Sequence, residues 1–78
     1  MRKYDPLYEY LKRNGQSSVH LTFAEIEKVL GDKLPVSAYK YSAWWANGGH
    51  IQANAWLDAG YKVGNVNLDM QIVTFHQQ

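Results

Sequence analysis

The sequence has no cysteine, only two prolines, and no uninterrupted apolar run long enough to span a membrane. Without cysteine the chain forms no disulfide and no thiolate site, so a small core must be stabilised by other means. The N-terminal segment to Leu11 is charged and lacks the apolar stretch of a signal peptide. We therefore expect a soluble, cytoplasmic protein with one domain over residues 1–78 and no membrane contact.

The sequence also lacks a strong excess of either charge. Eight Lys and Arg stand against seven Asp and Glu, which gives a net charge of +1. Dedicated nucleic-acid binders are usually more basic, so bulk electrostatics indicates no partner.

Aromatic residues, in contrast, are abundant, at 14% of the chain. Each buried ring removes about 150–250 Å² from water, so a few rings can replace a larger aliphatic core. Trp45 and Trp56 lie at helical positions that favour core packing, whereas the adjacent Trp44 must point elsewhere and is expected to be partly exposed. Some rings are thus expected in the core and others on a binding surface.

The first helix is expected to have Asp5 as its N-cap and Pro6 as its first residue, and to stop at Asn14 and Gly15. Leu7, Tyr10 and Leu11 share one of its faces. Residues 17–21 then fit a short strand.

The clearest local signal is a capping box formed by Thr22 and Glu25, at the required spacing of three. It predicts a second helix over Phe23–Leu30, ended by Gly31. Glu25 is accounted for by this box and Glu27 by an exposed helix face.

Ser37 is expected to cap a third helix that continues to about Ala46, with Lys40 and Trp44 on one stripe. Residues 52–58 are expected to add one or two helical turns, closed by Gly60.

The C-terminus predicts a hairpin of residues 61–68 and 71–76, joined by Asp69 and Met70. A two-residue loop would pair Leu68 with Gln71, Val66 with Val73, and Gly64 with Phe75, whose ring would cover the glycine. The order of helix, strand, two helices and hairpin predicts an α+β, winged helix-turn-helix-like fold with three to four short helices. Residues 47–59 depart from that plan.

Four segments carry a family resemblance: YDPLYEYL, LTFAEIEKVLG, LPVSAYKYSAWWANGGHIQANAWLDAGYKV and VTFHQQ. They resemble an uncharacterised group of small bacterial domains with a Tyr-Asp-Pro-Leu start and an Ala-Trp-Trp-Ala-Asn block, followed by Gln-Ala-x-Ala-Trp-Leu-x-Ala-Gly. Such domains occur alone or beside nuclease-like domains in restriction or defence-type proteins. The resemblance implies a prokaryotic or phage setting and favours nucleic-acid work, but supplies no catalytic residue.

No catalytic motif is present. His20, His50 and His76 are scattered, without a carboxylate at metal-ligand spacing, and there is no phosphate-binding glycine loop or nucleophile elbow. We expect neither enzymatic activity nor a metal or other cofactor.

The polar residues around the end of the third helix form the candidate nucleic-acid site: Lys40, Trp44, Asn47, His50, Gln52 and Asn54. Asn and Gln amides can pair with adenine edges, and Lys can meet phosphate or guanine. Each residue also has a plain structural interpretation: Asn47 as a helix C-cap, His50 as a loop residue, Trp44 as the outer edge of the core.

Further phosphate contacts are expected from basic residues on other elements: Arg2, Lys3, Lys12, Arg13, Lys33 and Lys62. So few contacts would bind DNA weakly in a monomer, which favours a homodimer or a larger complex. The leading hypothesis is a DNA-binding module that reads DNA through the third helix and the segment after it, with the hairpin as wing.

The alternative is a protein-interaction module, an inhibitor or a subunit of a defence-type complex, that uses Tyr and Trp side chains without nucleic acid. The arrangement of charge discriminates between the two. If Lys12, Arg13, Lys40 and Lys62 lie on separate faces, the alternative is favoured.

Overall fold

The computed structural model describes residues 3–78, which form an α+β domain of four short helices and a three-stranded antiparallel sheet. The elements are α1 (Asp5–Asn14), β1 (Ser18–Thr22), α2 (Phe23–Leu30), α3 (Val36–Lys40), a 3₁₀ turn (Ser42–Trp45), α4 (Ala53–Leu57), β2 (Tyr61–Asn67) and β3 (Ile72–Gln77). In this part of the chain no helix has the length and apolar character needed to cross a bilayer.

Helix α1 buries Leu7 and Leu11 and ends at Gly15, whose φ of 71° is left-handed. The expected end is confirmed, but Asp5 is the first helical residue and Tyr4 occupies the cap position. The Tyr4 carbonyl accepts hydrogen bonds from the backbone N–H groups of Leu7 and Tyr8. The helix therefore begins one residue earlier than it would if Asp5 were the N-cap. Tyr10, expected on the buried face, is exposed.

Helix α2 has the predicted bounds and the predicted capping box. The Glu25 N–H donates to Thr22 Oγ1 at 3.0 Å, and the Thr22 N–H donates to Glu25 Oε1 at 2.8 Å. The bond from the Thr22 backbone N–H to the ionised carboxylate, followed by the interaction with the Thr22 side chain, holds the pKa of Glu25 below its ordinary value of 4.5.

The prediction of one long third helix is wrong. Helix α3 starts at Val36 without a cap from Ser37, ends at Lys40, and is followed by Tyr41 in an extended conformation (φ −125°, ψ 122°) and a 3₁₀ turn. The break lets the Trp45 indole N–H donate to the Ala38 carbonyl at 2.9 Å. In an unbroken helix Ala38 and Trp45 would be about 10 Å apart along the axis, too far for this hydrogen bond. Because the helix ends at Lys40, the predicted helical stripe shared by Lys40 and Trp44 does not form.

Glu27 does not merely face solvent, as expected, but organises the turn between α2 and α3. Its carboxylate accepts the Leu34 N–H at 2.9 Å and the Tyr39 hydroxyl at 2.8 Å. Partial burial and the bond to this carboxylate raise the pKa of Tyr39.

The hairpin is present, but its register differs from the prediction. Val66 pairs with Val73 as expected, whereas a bulge between Val63 and Asn65 places Val63, not Gly64, opposite Phe75, and residues 68–71 form a longer loop in place of the Leu68–Gln71 pair. A side chain at Gly64 would overlap the ring of His76, so the histidine, not Phe75, covers the glycine. Strand β3 also pairs with β1, and the sheet order is β1-β3-β2.

Aromatic rings form the centre of the core, between the helices and the sheet. Trp45 and Trp56 are buried, as predicted, and their rings stack at 6.0 Å with an interplanar angle of 23°. Phe23 also stacks on Trp45, at 4.9 Å, and Phe75 contacts Trp56 at 5.7 Å. One column of rings thereby joins α2, the 3₁₀ turn, α4 and β3.

Replacing Glu25 with Gln tests the electrostatic part of the capping box. Gln retains a cap acceptor but does not titrate. Because the folded pKa of Glu25 lies below the unfolded value near 4.5, its contribution is complete above that value and is lost as pH falls through the folded pKa. In urea unfolding at a series of pH values, wild-type stability should fall more steeply than that of Glu25→Gln between about pH 5 and pH 3. Parallel profiles would contradict this assignment.

Candidate binding site

A groove of about 790 Å³ runs between the start of α1 and helix α4. Its walls combine aromatic, apolar and charged side chains: Lys3, Tyr4, Asp5, Tyr8, Ile51, Asn54, Ala55 and Asp58. We call this the α1/α4 groove. The mixture of an apolar floor and a few polar groups is usual for a binding site.

The two helices meet closely because α4 presents small side chains to the core. Ala53 and Ala55 are buried, while Asn54 and Asp58 are exposed at the rim. Just before α4, Ile51 is 75% exposed, although it is one of the most apolar side chains of the domain. An exposed large apolar side chain in a groove indicates a contact surface.

Each of the two groove tyrosines is accompanied by a lysine. The Lys3 ammonium lies 5.8 Å from the ring centroid of Tyr4, and that of Lys12 lies 5.3 Å from the ring of Tyr8. The Lys12 ammonium also donates to the Tyr8 hydroxyl at 2.9 Å, and this bond raises the pKa of Lys12 and keeps it charged.

Trp44 lies beside the groove and is half-buried. Its ring makes edge contacts with Tyr4, at 5.9 Å, and with Trp45, at 4.7 Å. Trp44 therefore connects the groove wall to the aromatic column.

Asn47, predicted as a base-reading residue or a C-cap, joins the core to the edge of β2. Its Oδ1 accepts the Val63 N–H at 2.7 Å and the Trp56 indole N–H at 3.1 Å, and its Nδ2 donates to the Val63 carbonyl at 2.9 Å. The oxygen and the nitrogen of the Asn47 side-chain amide are therefore both hydrogen-bonded to other residues of the chain.

Gln52 has a similar internal role. It is 8% exposed, and its Nε2 donates to the Trp44 carbonyl at 2.8 Å. Of the other polar candidates, Asn54 lines the groove and His50 is exposed next to Ile51. The structure thus separates the predicted cluster into two amides that are hydrogen-bonded to other parts of the chain, the exposed Asn47 and the buried Gln52, and two exposed side chains, His50 and Asn54.

The basic candidates are distributed over three secondary-structure elements and a turn. Lys12 contacts the groove through Tyr8, whereas Arg13 lines a second, shallower groove with Val29 on α2. Lys62 follows the buried Tyr61 on β2, so it points to the outer face of the sheet. Lys40 ends α3, Lys33 is exposed in the turn before it, and Arg2 lies outside the described residues.

Sequence reasoning missed Tyr4, Tyr8 and Ile51 as site residues. The spacing of four between the two tyrosines, which places them on one helix face, was an available signal. Ile51, an isolated apolar residue among polar neighbours, was another. Their convergence depends on the packing of α4 against α1, which joins residues about 45 positions apart.

Within residues 3–78, no three His, Asp or Glu side chains cluster closely enough to hold a metal ion. The walls of the α1/α4 groove are aromatic, apolar and charged.

The architecture is that of a small α+β domain with an aromatic-walled groove between α1 and α4. The chain belongs to the family of domains of unknown function DUF7662, whose profile matches residues 4–78. This agrees with the expected membership of an uncharacterised group of small domains. No curated protein and no solved structure matches the chain.

Replacing Asn47 with Ala should lower the free energy of unfolding by about 2–4 kcal/mol, because it removes three hydrogen bonds and leaves the Trp56 indole N–H without its acceptor. The matched control Asn54→Ala removes an exposed amide and should change stability by less than about 0.5 kcal/mol. Chemical denaturation measures both. Equal effects would contradict the role assigned to Asn47.

Proposed function

We propose that the domain is a protein-interaction module, without catalysis, that binds a short segment of a partner protein in the α1/α4 groove. The observation that carries the proposal is the exposure of Ile51 beside the rings of Tyr4 and Tyr8. Interfaces gain most of their affinity from a few aromatic and large apolar side chains at their centre. The groove offers such a centre.

The rim indicates the chemistry of the segment. Lys3, Lys12 and Asp5 stand at the tyrosine side, where two lysines face one carboxylate, and Asp58 stands at the α4 side. We therefore propose an occupant with one aromatic or large aliphatic anchor, an acidic group toward the lysines and a basic group toward Asp58. An apolar centre with a polar, charged rim is the usual anatomy of protein interfaces.

The distribution of positive charge favours a protein over a nucleic acid. A phosphate-tracking surface needs several Lys or Arg side chains along one path. Here Lys12 and Arg13 lie on α1 but beside different grooves, Lys40 ends α3, and Lys62 lies on β2. This arrangement supports the interaction hypothesis.

Selection from a displayed peptide library tests the proposal. We expect enriched peptides with an aromatic or large aliphatic anchor, and the synthesised peptides should bind Ile51→Asp at least about tenfold more weakly than wild type, since the charge removes the apolar contact. Met70→Asp is the matched control, because Met70 is 65% exposed and lies in the β2–β3 loop, away from the groove. It should bind like wild type.

Two outcomes would contradict the groove as the site: no enrichment above a library without the domain, or peptides that bind Ile51→Asp as tightly as wild type. Isothermal titration gives the affinities, and far-UV circular dichroism shows that each variant is folded.

A second candidate is duplex DNA binding by a winged-helix-like domain. It is favoured by the element order together with the pairing of β3 with β1, which attaches the hairpin to the helical layer as a wing would require. Lys40, His50, Asn54 and Lys62 are exposed and available for such contacts.

Fluorescence anisotropy with duplex and single-stranded DNA at about 50 mM salt tests this candidate. DNA binding predicts saturable binding that weakens steeply with added salt, because phosphate contacts release counterions. It also predicts weaker binding by the double variant Lys40→Ala, Lys62→Ala. No binding at this low salt would refute the DNA hypothesis and leave the peptide experiment unaffected.

A further inference from the structure

The two edges of the sheet differ in how many backbone groups they leave open. Strand β3 is central, so β1 and β2 are the edges. On β2, both backbone groups of Val63 are bonded to Asn47, and the Tyr61 carbonyl accepts the Gln78 side-chain amide at 3.3 Å. The first half of the β2 edge is therefore closed to another strand, while Val66 faces outward in its second half.

On β1, the register identifies the groups that face outward. The Gln77 N–H donates to the Ser17 carbonyl, and the Phe23 N–H donates to the Gln71 carbonyl, so odd-numbered residues bond to β3. Antiparallel ladders alternate, and the backbone groups of Ser18, His20 and Thr22 consequently point away from the sheet. Among them, the Thr22 N–H is bonded to Glu25. The Thr22 carbonyl belongs to the N-cap residue of α2 and accepts the first N–H of that helix. The outward N–H and C=O groups of Ser18 and His20 form the open part of the edge.

The side chains of β1 leave this edge uncovered. Ser18 is hydrogen-bonded to His76 at 3.0 Å, and His20 to Thr74 at 2.9 Å, so both side chains lie across β3. The strand contains neither Lys nor Pro, residues with which proteins usually protect a sheet edge.

We propose that β1 pairs antiparallel with β1 of a second copy of this chain, about a two-fold axis at His20, and so forms a continuous six-stranded sheet. In this register the two His20 residues exchange their N–H and C=O groups. Each Ser18 N–H then points toward the Thr22 carbonyl of the other copy, which has a second lone pair beside the one used by α2.

Two features of the structure favour a second copy of the chain over an unrelated strand as the partner of β1. The pattern of Ser18, His20 and Thr22 matches its own reverse, as an isologous interface requires. The bonds at Val63 and the Tyr61 carbonyl block the first half of the opposite edge, which disfavours extension of the pairing from a dimer into a fibre.

Sedimentation equilibrium from about 10 µM to about 1 mM tests the proposal with a pair of variants at His20. His20→Ala removes the side chain but keeps the N–H and should dimerise like wild type. His20→Pro also removes the outward N–H, which has no partner within one copy, and should raise the dimer dissociation constant at least about tenfold. Thermal unfolding shows whether both variants are folded.

Hydrogen exchange of the wild-type His20 amide is the second measurement, independent of any variant. Its exchange should slow as the concentration is raised through the dimerisation range. Three results would each overturn the proposal: a wild-type monomer throughout the range, equal dimerisation of His20→Pro and His20→Ala, or a His20 amide whose exchange does not depend on concentration.

Discussion

The stacking of the Trp45 indole on the Trp56 indole is the contact on which the helical half of the domain depends. Helices α3 and α4 have five residues each, and isolated helices shorter than about 12 residues are marginal in water. Neither can persist through its own backbone bonds. The stack, extended by Phe23 and Phe75, supplies buried area that in a larger domain would come from aliphatic side chains. The absence of disulfides is compensated in this way.

The same stack sets the position of the groove. Trp56 holds α4 in the core, and its indole N–H bonds to Asn47, which also binds both backbone groups of Val63. With α4 held against α1, Ile51 is presented beside the rings of Tyr4 and Tyr8. The proposed binding surface is thus a consequence of the core and not an appended loop, so changes at Asn47 should affect binding through stability.

Local features could be predicted from the sequence, and long-range ones could not. The capping box of Thr22 and Glu25 and the glycine end of α1 depend on neighbouring residues, and both are confirmed. The break at Tyr41 depends on a bond from Trp45 to Ala38, and the bulge at Gly64 accommodates the His76 ring. For the site, the composition indicated that some aromatic side chains lie on a binding surface. That Asn47 is bonded to Val63 and Trp56 whereas Asn54 lines the groove could be seen only from the three-dimensional contacts.

Hydrogen exchange of the three tryptophan indole protons tests the central claim most directly. Trp45 and Trp56 are buried with bonded N–H groups, whereas Trp44 is half-buried. If the stack holds the helical half together, the Trp45 and Trp56 protons should exchange only through global unfolding, with protection equal to the free energy of unfolding, and the Trp44 proton much faster. Fast exchange at Trp45, comparable with that at Trp44, would contradict the account.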